Sequence, residues 1–289
     1  MALRASGQGK PGDYLTDKLT DHALDLIEQK LDQPFFLSLW FHTVHTPIEG
    51  KPKLVERFKN KNPGKHHRHP EYAAMVSSMD ENVGRVLRKL DELNIADNTV
   101  VVLTSDNGGV DFPTAKSGHR PPTRNFPFRS GKGTLYEGGL RVPLIIRWPG
   151  CTRSGSESTA QVTSQDFFPT LADALGQVDA PRHDGESLLP LLRDPQAKLA
   201  RKALYWHYPH YYPRMTPGSA VREGDWKLIH YYEGDRVELF ELQDDPGETR
   251  NLATVQPNRV KVLRGRLDAW RESVDAKAPT SNPDWRSQK

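Results

Sequence analysis

The stretch DNTVVVLTSDNGG, residues 97–109, sets an unbroken apolar run from Val100 to Leu103 against a carboxylate, an amide and two glycines. An apolar run bounded by turn residues reads as a buried strand of a parallel sheet. Asp106 and Asn107 then stand where the strand stops. Asp-Asn-Gly-Gly is ordinary turn chemistry, because Asn and Asp bond their own backbone and Gly tolerates positive φ. The same pair offers hard oxygen ligands at a strand's carboxyl end, where open α/β sheets bind what they act on. The stretch alone leaves both readings open.

On the N-terminal side, DYLTDKLTDHALDLIEQKL places Leu15, Leu19, Ala23, Leu26 and Ile27 at helical spacing. PFFLSLWF, residues 34–41, reads as a buried strand ending at His42 and His45. KNKNPGKHHRHP is a basic, histidine-rich loop that its Pro and Gly keep irregular. Its His66, His67 and His69 lack the spacing of a closed zinc site, so a solvated basic loop is the better reading. A long helix follows, with Met75, Met79, Val83, Val86, Leu87 and Leu90 on one face. Strand, helix and strand in that order predict a parallel α/β sheet.

Beyond the glycines, residues 110–142 are too long for a simple connection, and such loops are usually functional or disordered. PLIIRWP is a further buried strand, and SQDFFPTLADALG a helix opened by Ser164 or Asp166. Past residue 195 the pattern changes to short runs, ALYWHY, SAVREG, WKLIHYY and VELFEL, which predict a small antiparallel sheet. A terminal helix with Val260, Leu263, Leu267 and Trp270 on one face would cover it. The expected division is therefore 1–195, an α/β catalytic portion, and 196–289, an antiparallel α+β subdomain.

Composition narrows the classes. A net charge of +3 in 289 residues gives no ground for a nucleic-acid partner, and no apolar run approaches a bilayer-spanning length. The single cysteine, Cys151, excludes an internal disulfide framework. The N-terminus shows no apolar leader.

Several polar groups could carry chemistry. His45, in HTP, could donate a proton or pack a loop. Lys132 lies between Gly131 and Gly133, where absent side chains admit an anion to a point charge. Arg141 reads as a salt-bridge partner of Glu137. In YWHYPHYYP, residues 205–213, flat rings could stack on a sugar while His207 and His210 bind its substituents, or alternate members could be sheet core.

Six blocks in order, PFFLSLWFHTVHTP, DNTVVVLTSDNGG, GKGTLYEGGLRVPLIIRWPG, DFFPTLADALG, DGESLLPLL and GDWKLIHYYEGDRVELFELQDDPGETRNLA, resemble the sulfatase family of the alkaline-phosphatase-like fold, over residues 12 to about 272. The resemblance implies an α/β sheet with helices on both faces and a sulfuric-ester hydrolase. It implies calcium held by Asp106 and Asn107, and sulfate contacts from Lys132 and His45. A sulfated sugar or polysaccharide is the expected partner, and a periplasmic or secreted location is expected for the full-length protein.

The family's nucleophile is a formylglycine made within Cys/Ser-x-Pro/Ala-x-Arg. Cys151 stands in GCTRSGS, with Arg153 and Gly155 at the two defining positions, and no serine supplies the pattern. The family's opening aspartate pair and its Lys-x-His block are also missing. The expectation is a C-terminal portion, inactive alone. A phosphodiester or phosphonate monoester hydrolase of the same fold, or a non-catalytic sulfoglycan-binding remnant, would explain the retained residues as well.

Overall fold

The computed structural model describes residues 10, 12–29, 33–114, 120–177, 181, 183–280 and 282–283. Most of the N-terminal stretch read as leaderless lies outside them. The described chain divides into two compact units, one of residues 1–101 and 109–124, the other of 102–108 and 125–289. The division expected at residue 195 falls inside the second unit.

The first unit is helical. Helix α1 (Leu15–Gln29) packs on α3 (Pro70–Glu92), as does α2 (Pro52–Lys59), a helix not expected from the sequence. Ala23 and Ile27 of α1 and Ala74, Met75 and Leu90 of α3 are all buried. The inner line of α1 differs from the expected one: Thr16 and Thr20 are buried while Leu15 is exposed. Polar residues can line this seam because they are paired. Asp17 Oδ1 accepts from Asn82 Nδ2 and Lys51 Nζ, both at 2.7 Å.

The run PFFLSLWF forms no strand. It alternates, with Leu37, Leu39 and Phe41 half-buried and Phe36 and Trp40 exposed, but its backbone joins no ladder among the described residues. Alternation supplies faces, and a strand also needs a neighbour for its N–H and C=O groups.

In the second unit, β1 (Val101–Thr104), which begins at the boundary residue, pairs with β2 (Leu144–Arg147). Neither is buried as expected: Val102 is 44% and Ile145 61% exposed. Two strands alone cannot cover both of their faces. Between them lies the single turn α4 (Glu137–Leu140), and after them α5 (Phe167–Ala174) and α6 (Leu189–Arg193).

A short 3-10 turn capped by Thr163 leads into α5, and Asp166, one of the two expected residues, stands at the N-cap position of α5 without a side-chain cap bond there. Asp166 is the reciprocal member of the capping box, receiving the Thr163 N–H at 2.8 Å, and is held in a buried pair with Arg201 at 2.5 Å. Thr163→Ala should lower stability by about 1 kcal/mol in urea denaturation.

The expected antiparallel sheet is present, in the order β3 (Leu204–Tyr208), β4 (Gly218–Glu223), β5 (Trp226–Tyr231), β6 (Val237–Glu241). Glu223 pairs with Trp226 across a two-residue turn whose Gly224 takes φ +56°. Helix α7 (Pro257–Ser273) covers one face, where Leu263 and Leu267 meet Val221, Leu228 and Leu239. Each buried leucine contributes about 1.5–3 kcal/mol. The opposite face packs Ala220, Ile229 and Phe240 against Leu135 and Tyr136. That shared core is why the sheet belongs to the same unit as the residue 131–139 segment.

Candidate functional site

Past β1 the chain turns through Asp106, whose Oδ1 accepts the Asn107 N–H at 3.0 Å. Asn107 Nδ2 donates to the Gly108 carbonyl at 3.0 Å, which assigns its side-chain oxygen as the remaining acceptor. The turn is fixed from below by glycines. Gly108 N–H donates to Gly139 O at 3.0 Å, and a Cβ at Gly108 would sit 1.7 Å from the Gly138 carbonyl oxygen. A Cβ at Gly139 would come within 2.4 Å of Thr134 O. No side chain fits between these backbones.

The Lys132 segment is set by the same contacts. Gly133 has φ +77°, and the Tyr212 ring occupies the space its Cβ would need. Thr134 Oγ1 donates to Gly131 O at 2.8 Å, closing the turn around Lys132. Asp106, Asn107 and Lys132 line one cleft of about 730 Å³, together with Trp206, His207, Tyr208, Tyr212 and Arg222.

A buried ionic cluster adjoins the cleft through Glu137 and Arg222. Lys227 Nζ is 3.0 Å from Glu137 Oε1 and 2.9 Å from Glu248 Oε1, and Arg222 Nη1 is 3.0 Å from Glu137 Oε2. Glu248 Oε2 accepts the Glu137 N–H at 2.7 Å. Burial pushes the Glu248 carboxyl up, against the pull of Lys227. Arg141 is therefore not the partner of Glu137, as expected from sequence. It lies over the Phe128 ring at 4.7 Å, and Arg222 and Lys227 take its place. The sequence carried a partial signal, a lysine inside the apolar run WKLIHYY, but nothing to name its partners.

Beside this cluster Tyr136 donates to Glu238 Oε2 at 2.7 Å and meets Tyr231 Oη at 2.7 Å. Burial raises both phenols, that of Tyr231 to about 12.

The two candidate histidines of the aromatic stretch separate. His207 lines the cleft, with Nε2–H donating to Lys277 O at 3.0 Å and Nδ1 at 2.8 Å from Ser219 Oγ. Both ring nitrogens are engaged within the protein, so what His207 offers the cleft is its ring. His210 is exposed, edge-on to Tyr208, and is not among the lining residues. His45 belongs to the first unit, in the turn after residue 41, with Nδ1 2.8 Å from Thr46 O. Cys151 sits in a turn, its N–H bonded to Trp148 O at 2.9 Å, and is not a lining residue either.

Asp106 and Asn107 suit a hard cation by donor type. They supply two residues, whereas calcium takes about six to eight oxygens, and among the described residues no three His, Cys, Asp or Glu come together to hold a metal. The described residues thus fit part of such a site. His69 serves the helix that follows it, since its Nδ1 receives the Tyr72 N–H at 3.4 Å and caps α3.

Residues 3–177 match the model of the family described as Sulfatase, and residues 130–272 that described as N-sulphoglucosamine sulphohydrolase, C-terminal. A protein named Sulfatase from Formosa agariphila is 37% identical over 295 residues, covering 92% of this chain and 51% of that protein. The crystal structure of Ps i-CgsB in complex with k-i-k-neocarrahexaose superposes with a TM-score of 0.78 at 25% identity, covering 96% of this chain and 58% of that one. The phosphonate monoester hydrolase of Agrobacterium radiobacter, at 20% identity with 90% and 60% coverage, shares the fold with a TM-score of 0.67. The chain spans about half the length of the curated relatives it matches. The matched family model, the ordered motifs and the superposed fold agree: the chain belongs to the sulfatase family, with its alkaline-phosphatase-like α/β fold.

Proposed function

We propose that this chain carries the sulfate-binding part of a calcium-assisted sulfuric-ester hydrolase acting on sulfated carbohydrate. The observation that supports it is the cleft that Asp106, Asn107 and Lys132 share with a wall of aromatic residues. Hydrolysis of a sulfate ester places negative charge on the sulfuryl oxygens and on the leaving oxygen. The Lys132 ammonium neutralises the former. A calcium ion, held in part by Asp106 and Asn107, would supply further positive charge. Trp206, Tyr208 and Tyr212 offer flat faces on which a pyranose ring can stack. The role of His45, binding sulfate and protonating the leaving oxygen, rests on the family resemblance. His207 contributes through its ring, and His210 remains a proposed outer contact to sugar.

None of these residues attacks sulfur, because lysine and histidine here stabilise charge or move protons. The 289 residues by themselves are expected to be inactive. An exported location, periplasmic or secreted, accompanies the reading.

The test is hydrolysis of 4-nitrophenyl sulfate by the 289-residue chain, beside a protein that also carries a Cys/Ser-x-Pro/Ala-x-Arg segment and is co-expressed with the formylglycine-generating enzyme. Turnover is expected in the second alone, reduced about 100-fold or more by Lys132→Ala, the loss typical of removing one charge-stabilising donor. Faster hydrolysis of phenylphosphonate esters would replace the sulfatase reading by the phosphonate one. Turnover by neither protein would favour a binding remnant.

A further inference from the structure

Residues 51–69 of the first unit carry seven Lys or Arg and one acidic residue, Glu56. That is a net +6 in a chain whose total is +3, so the remaining residues are net negative. Lys53, Arg57, Lys59, Lys61, Lys65 and Arg68 are all exposed, and among the described residues none forms an ion pair, whereas Lys51 is paired with Asp17. Helix α2 places Lys53 and Arg57 one turn apart, on one face. Arg57 and Lys61 both lie over the Phe58 ring, at 5.7 and 5.9 Å, which draws the charge of the helix and of the following loop together. The His66 imidazole is held below its usual range, first by its own desolvation and then by the cations around it, Lys65 first.

We propose that this patch is a binding surface for a sulfated polysaccharide chain, made of residues distinct from those of the cleft. Choosing that polyanion rests on the proposed function. The patch itself favours it over a membrane surface. No large apolar residue of 51–69 is exposed, so there is no wedge for a membrane, and its one phenyl ring, Phe58, is half-buried with Arg57 and Lys61 over it. What it offers is a row of flexible point charges, suited to sulfate groups repeated along a polymer. Holding a polymer by sulfates that are not being hydrolysed keeps substrate at the protein. Such binding weakens steeply with salt, as condensed counterions are released.

The test measures binding of the full 289-residue chain to dextran sulfate, unsulfated dextran, a 30-base-pair DNA duplex and phosphatidylserine vesicles at about 0.1 M salt. Two charge-matched variants are compared: Lys53→Glu, Arg57→Glu, Lys59→Glu and Lys65→Glu together, and Arg193→Glu, Lys198→Glu, Lys202→Glu and Lys261→Glu together, all at exposed positions. The expected result is binding to dextran sulfate alone among the four, weakened at least tenfold in the first variant and less than threefold in the second. The salt slope should fall by about 3 in the first, about 0.7–0.9 for each of the four lost cations. Equal weakening in both variants, or none in either, would overturn the patch. Tighter binding to DNA or vesicles, lost in the first variant, would overturn the choice of polysaccharide. Binding of 4-nitrophenyl sulfate should be weakened by Lys132→Ala and kept in the first variant, so a failure of the cleft reading and a failure of the patch are read separately.

Discussion

Lys227→Met should destabilise the second unit by about 3–5 kcal/mol in urea denaturation, the range for breaking a buried ion pair from one side. Lys227 is fully buried and neutralises Glu137 and Glu248, both also buried. Methionine fills most of the volume, so the loss is electrostatic: Arg222 remains with Glu137, while Glu248 keeps only the Glu137 N–H. Its effect should depend on pH in a stated direction. Burial already raises the Glu248 carboxyl, and removing Lys227 raises it further. A folded-state pKa above the unfolded one means that the folded state binds the proton more tightly, so stability falls as pH rises through that window. The deficit of Lys227→Met should therefore shrink between pH 8 and pH 5. A deficit independent of pH would point to packing instead.

Gly108→Ala should also be damaging, lowering stability by about 3 kcal/mol, the upper end for overpacking, and abolishing anion binding in the cleft. The added methyl would meet the Gly138 carbonyl oxygen at 1.7 Å, and that oxygen is backbone, with no rotamer to yield. Gly138 cannot retreat, since the space beside its own Cα is taken by the carbonyls of Arg129 and Ser130. The strand-end turn and the Lys132 segment would have to part, breaking the bond between Gly108 N–H and Gly139 O. Titration with 4-nitrophenyl sulfate followed by NMR reads the cleft directly. Native stability together with wild-type binding would show that the two backbones are not locked as described.

Elements whose burial pattern is local were legible in the order of residues alone. The extent of α3, the short runs of β3 to β6 and the Leu263 and Leu267 stripe of α7 each depend on a few neighbouring residues, and the structure contains them all, although α3 buries Ala74, Ser78 and Asn82 beside Met75 and Leu90 in place of the expected Met79, Val83, Val86 and Leu87. Family membership was legible for a related reason, since ordered motifs such as SDNGG and GKGTLYEGG keep their residue types wherever the chain folds. Three matters were left to long-range packing. PFFLSLWF has the alternation of a strand and forms none, because pairing requires another backbone that the run cannot specify. Glu137 pairs with Arg222 and Lys227, some ninety residues away, and not with nearby Arg141, because a buried carboxylate takes whichever cations the packed sheet delivers. His207 and His210, three residues apart, differ in surroundings: β3 carries one to the cleft wall, where Ser219 and the Lys277 carbonyl hold both of its nitrogens, while the other stays exposed beyond the strand end. Residue type and spacing announce which chemistry a chain can offer. Which groups meet, and which are already taken, is decided by long-range contacts whose free energy no local stretch contains.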